Sequence, residues 1–85
     1  MEFQSVLIRE QGVTFAVIVV KQFALRDVGR ASELIAQFQL NLGTPVVLMC
    51  QDTRGVPTYR GRRDLVNFLC HVPLANIPWR TLSIR

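Results

Sequence analysis

The chain has little of what most catalytic and membrane-bound proteins need. Among its 85 residues there are one lysine, one histidine and two cysteines. Cys50 and Cys70 are too far apart, and His71 too isolated, for the short ligand spacings that pre-arrange a zinc site. A CxxC redox motif is missing, so neither a metal nor a cofactor is expected. The six carboxylates are scattered: Glu2 and Glu10 near a terminus and a turn, Asp27 and Asp64 at predicted helix starts, Glu33 on a helix surface, Asp52 in a turn. No pair is placed for acid and base work, which leaves a hydrolase without its main ingredient. The longest strongly apolar run, residues 13–20, is far short of the roughly 20 residues that span a bilayer. The start, Met1-Glu2-Phe3-Gln4, lacks the basic and apolar regions of a secretion signal. Charged residues make up only 19 % against 49 % hydrophobic, which excludes an intrinsically disordered chain. The expectation is one non-enzymatic cytoplasmic domain over residues 1–85, with no membrane contact and both thiols reduced.

What is present is a clear change of period along the chain. Residues 3–9 alternate Phe3, Ser5, Leu7 and Arg9 against Gln4, Val6 and Ile8, a strand with one solvated side. After Glu10-Gln11-Gly12, residues 13–20 are apolar on both faces and rich in β-branching, which predicts a hairpin of strands 3–9 and 13–21 whose second strand lies inside the sheet. From Leu25 the apolar positions Val28, Ala31, Ile35, Phe38 and Leu42 recur at steps of three and four, an amphipathic helix with Asp27 as N-cap and Gly43 as its left-handed end. Residues 45–51 form a second doubly apolar strand. Asp52-Thr53-Arg54-Gly55 is a turn, and residues 56–60 return as a short strand that Pro57 confines to an edge. Asp64 is placed to cap a short helix through Leu65, Val66, Phe68, Leu69 and Val72, which Pro73 ends. Residues 79–84 alternate once more as a last edge strand.

The order β-β-α-β-(β)-α-β defines an α+β fold: a four- or five-stranded mixed sheet with one long and one short helix. Strands 13–20 and 45–51 have two apolar faces, and the helices are few. With both helices on one face, the other would stay bare, and a homodimer through that face is the expected cover. With one helix on each face, that reason for a dimer disappears.

Charge is distributed unevenly. Residues 1–50 hold four basic and four acidic side chains, whereas residues 51–85 hold six arginines against two aspartates, so the net +4 lies in the last 35 residues. Nine of the ten basic residues are arginine, whose planar fork suits carboxylate or phosphate. Arg54, Tyr59, Arg60, Arg62 and Arg63, with Arg80 beyond them, are the candidate anion-binding residues. Three of the arginines and the N–H groups of the following helix start could share a phosphate, and Tyr59 could stack on a base. The opposing account is a solvated loop with its arginines paired to Asp52 and Asp64. The glycine spacing matches neither the phosphate loop nor the dinucleotide fingerprint. The expected partner is anionic, nucleic acid first and an acidic protein surface second. The alternative is an assembly subunit whose apolar sheet face is the working surface.

Cys50 and Cys70 each close an apolar run and read as small buried hydrophobes. Adjacent Cys70 and His71 point about 100° apart on a helix and cannot form a nucleophile pair; His71 reads as a capping residue. The five phenylalanines fit the core, and Trp79 fits either a core edge or a contact surface. The stretch Thr44-Pro45-Val46-Val47-Leu48, through the Gly55 turn to Tyr59-Arg60-Gly61 and a helix, resembles the closing hairpin and helix of thioredoxin-like proteins. That resemblance covers under a third of the chain, and the β-β-α opening departs from that family's β-α-β, so it implies local structure and no family.

Overall fold

A computed structural model describes residues 2–10 and 12–83. Five strands form one mixed sheet in the order β4-β3-β2-β1-β5. β1 (Glu2–Glu10) and β2 (Val13–Val19) make the expected antiparallel hairpin, with Glu10 opposite Val13 and Gly12 at φ 80°. β2 is the central strand, and residues 15–18 are all buried, as two apolar faces require. The chain then crosses over the sheet and returns as β3 (Val46–Gln51), parallel to β2. β4 (Pro57–Arg60) pairs antiparallel to β3, and β5 (Arg80–Ser83) pairs antiparallel to β1. Gln11 of the predicted turn and Ile84 of the predicted last strand lie outside the described residues.

The crossover is two helices where the periodicity suggested one. α1 (Gln22–Arg26) ends at Asp27, whose extended backbone interrupts the helix and whose carboxylate accepts from the Arg30 N–H at 3.2 Å. Asp27 is thus the predicted cap, but of the second helix only; Leu25 belongs to the short one. α2 (Val28–Leu42) ends at Gly43, where φ is 70° and the N–H donates to the Gln39 carbonyl at 2.8 Å. A left-handed residue at that place favours glycine.

α3 (Arg63–Leu69) is followed by turns to Pro73 and a single 3₁₀ turn at Leu74–Asn76. Its N-cap is Arg62, not the predicted Asp64, which stands one residue inside the first turn. None of the described helices is long and apolar enough to cross a membrane.

The helices take one face each. Ala16, Ile18, Val46, Leu48 and Cys50 pack with Leu25, Ala31 and Phe38 of α1 and α2. Phe15, Val17, Val47 and Met49 pack with Leu65 and Leu69 of α3, with Ile77, and with half-buried Trp79 at the margin. Trp79 therefore seals a core edge. With both faces carrying helices, the premise that led to a homodimer through a wholly bare face does not hold. Two further expectations are corrected by helix and strand geometry. Cys70 is exposed although Cys50 is buried, and Phe23 of α1 is 57 % exposed beside Arg30 while the other phenylalanines pack inward.

Candidate functional site

The Asp52–Gly55 turn holds the first of the candidate arginines. Asp52 Oδ1 accepts from the N–H groups of Arg54 (2.8 Å) and Val56 (3.0 Å), and its other oxygen lies 3.6 Å from the Arg54 guanidinium. Asp52 N–H donates to the Val56 carbonyl at 3.0 Å. Antiparallel hydrogen bonding alternates, so Thr58 and Arg60 turn their backbone groups to β3, and Pro57 and Tyr59 turn theirs to the open edge. Pro57, which has no N–H, sits where none is needed.

The same alternation separates Tyr59 from its neighbours. Tyr59 lies opposite Met49 and packs on the α3 face, whereas Arg60 lies opposite Leu48 and points to the α2 face. The Tyr59 hydroxyl is buried and has no hydrogen-bond partner among the described residues. Burial first, and Cys70 second, raise its phenol above the ordinary value. Half-buried on the α3 face, its ring lies on the other side of the sheet from Arg60. A strand parity that groups Tyr59 with Pro57, against Thr58 and Arg60, was the signal for this in the sequence.

Gly61 then brings the chain down onto β3. A Cβ there would lie 3.1 Å from the Val46 carbonyl oxygen and 3.1 Å from a Val47 methyl, at a φ of 155°. Arg62 follows and grips Asp64 with both arms, Nε donating to Oδ1 at 2.8 Å and Nη2 to Oδ2 at 2.7 Å. That bidentate hydrogen bond holds the Asp64 carboxyl at about 2 and raises the Arg62 guanidinium. Because the folded-state value is depressed, the pair's contribution is present at neutral pH and is lost as pH falls from the ordinary value of 3.8 through about 2. Arg60, Arg63 and Arg80 make no ion pair among the described residues.

Arg60 and Arg62 stand on one wall of a trough of about 470 Å³ between α2 and β4. Val28, Ala31, Ile35 and Ala36, with the polar Ser32 and Gln39, form the opposite wall, Pro45 and Val46 close it below, and no acidic residue among the described ones lines it. Arg63 is exposed at the first position of α3, outside the trough. Arg80 is not their neighbour. β5 and β4 are opposite edges of the sheet, four strand spacings or about 19 Å apart. Arg80 lines a second trough, of about 510 Å³, on the other flank of α2, floored by Ser5, Leu7, Ala16, Ile18 and Leu82. The candidate set thus divides into Arg60, Arg62 and Arg63 at one corner, Arg54 in the turn at the other end of β4, Arg80 at the far edge, and Tyr59 half-buried on the α3 face. The α2 wall was missed, although Val28, 64 % exposed at the edge of the helix's apolar stripe, was its clue.

The remaining nucleophile candidates do not meet. Cys50 packs under α2 and His71 follows α3, so the sheet lies between them. Burial, with a smaller push from Asp52, raises the Cys50 thiol, which disfavours the thiolate. His71 Nδ1 donates to the Asn67 carbonyl at 2.8 Å, closing the last turn of α3 as a capping residue does. Compared with protein-family models, with curated proteins and with solved structures, the chain matches none.

Proposed function

We propose that the protein is a non-enzymatic binding module that receives an anionic partner at the corner between β4 and α3. The observation that carries this reading is the pair Arg60 and Arg62 on the wall of a trough with no carboxylate in its lining among the described residues. The arginine fork suits phosphate or carboxylate equally; that of Arg60 makes no ion pair among the described residues, and that of Arg62 already holds the Asp64 carboxylate. Arg63 adds positive charge at the corner, while Arg54 stands in the turn at the other end of β4, paired with Asp52. Binding is by charge neutralisation, and Arg80 and Tyr59 have no part in it. Nucleic acid is the first partner to test, held through phosphates without base stacking.

The experiment is fluorescence anisotropy of labelled single-stranded and duplex oligonucleotides and of a labelled oligoglutamate, at about 50 and 200 mM salt. Micromolar binding that weakens by about an order of magnitude across that range is expected for at least one probe. The triple variant Arg60→Gln, Arg62→Gln, Arg63→Gln should lose it while keeping its fold by circular dichroism. No binding at the lower salt, or unchanged affinity in the triple variant, contradicts the reading.

A second reading is an assembly subunit that pairs with its own copy through the β1–β5 half of the α2 face. It is favoured by Leu7, which is 66 % exposed on that half beside the second trough. Sedimentation equilibrium of the wild type and of Leu7→Lys tests it: a concentration-dependent dimer that the variant dissociates supports it, and a monomer throughout rejects it.

A further inference from the structure

Resting on the reading that Arg60 and Arg62 receive an anion, we infer that the partner is a polypeptide, and that the trough between α2 and β4 takes the apolar side of an acidic amphipathic helix. Three observations lead there. The first is shape. The lining positions on α2 run from Val28 to Gln39, eleven residues on at 1.5 Å each, which makes a channel about 16 Å long. A channel of that length matches about three turns of helix better than it matches a compact ligand.

The second is chemistry. One long wall is mostly apolar, with Ser32 and Gln39 among Val28, Ala31, Ile35 and Ala36, and is partly uncovered, while the opposite wall carries Arg60 and Arg62. A helix with leucine-like side chains on one stripe and carboxylates along its flank fills both requirements at once. A nucleic acid meets only the second. No aromatic ring among the described residues lines the trough, and Tyr59 packs on the opposite face of the sheet, so bases would find no stacking platform there.

The third observation removes the competing peptide mode. β4 has a free edge alongside the trough, but of its outward-facing positions only Tyr59 carries an N–H, because the other is Pro57. An added strand would find almost no backbone ladder. Arg62 brings a further property: its fork is already held by Asp64, so an incoming carboxylate exchanges with an internal one, whereas Arg60 is the first to be engaged.

The test uses a labelled peptide of about 14 residues, long enough to form helix when bound, with leucine at i, i+3, i+4 and i+7 and glutamate between. Two controls replace every leucine by serine, or every glutamate by glutamine, and a single-stranded oligonucleotide is measured alongside at about 50 mM salt. The leucine–glutamate peptide is expected to bind, and each control to bind about tenfold more weakly or worse. Ala36→Glu, on the apolar wall, and Arg60→Gln, on the cationic one, should each weaken it about tenfold, with urea melts confirming that both variants fold. Equal binding of the leucine and serine peptides overturns the helix inference and leaves anion binding intact. So does an oligonucleotide bound as tightly as the leucine–glutamate peptide. Failure of every probe to bind overturns both.

Discussion

On one face of the sheet, Phe15, Val17, Val47 and Met49 are covered by α3, the 3₁₀ turn and Trp79, short pieces spread from β4 towards β5. On the other, Ala16, Ile18, Val46 and Leu48 lie under α2 with α1 at its head, and a trough stays open on each flank of the long helix. The difference is one of widths. A helix with its side chains is about 10–12 Å across, while the outer strands of a five-stranded sheet stand about 19 Å apart. One long helix covers the middle strands and leaves two strips. Arg60 and Arg62 border one strip and Arg80 the other, so this face, unlike the sealed one, presents apolar surface and positive charge together.

Substitutions can break or sharpen that contrast. On the sealed face the largest effect is expected from Phe15→Ala, since Phe15 is fully buried and makes an edge-to-face contact with Phe68 at 6.4 Å. A loss of about 3–5 kcal/mol in urea unfolding is expected, a large part of a small domain's stability. At the junction of the two faces, Gly61→Ala should cost about 1–3 kcal/mol, because the new Cβ presses on Val46 and Val47 at an unfavourable φ. A neutral result there would mean that the corner carrying Arg60 and Arg62 is loosely held. Tyr59→Phe should go the other way and stabilise by up to about 1 kcal/mol, since it removes a buried hydroxyl without a partner and keeps the ring. Leu7→Lys on the open half should change monomer stability by less than about 0.5 kcal/mol. A larger loss would show that this strip is covered in solution.

Most of the fold was legible in the sequence because it rests on local rules. The alternation before Gly12 and the doubly apolar run after it fix a hairpin with an interior second strand. Asp27 and Gly43 mark the ends of α2 by capping chemistry, and Pro57 marks an edge strand by its missing N–H. What could not be read depends on register and on the path of connections. Which face α3 covers is decided by how the chain leaves Gly61, and no side-chain pattern records that. Arg80 looked like a neighbour of Arg60 only because the strand order, with β4 and β5 at opposite edges, is a tertiary fact. Some of the candidate site was within reach. In the run Leu65–Cys70, helical spacing puts Leu65 and Leu69 inward and turns Cys70 about 100° away from Leu69, which accounts for its exposure. The Arg62–Asp64 pair is two residues apart, a spacing that does not face on a helix; it forms because Arg62 is still extended at the N-cap.

That pair offers the most direct trial of the claim that the α2–β4 trough is an anion site. Asp64→Asn removes the internal carboxylate from Arg62 and leaves both side chains solvent-exposed. If the trough binds an anion, the leucine–glutamate peptide should bind the variant about three- to tenfold more tightly than the wild type at about 50 mM salt, with a steeper salt dependence. A damaged or merely structural corner would not gain affinity. Unchanged or weaker binding, with the fold intact, would contradict the account.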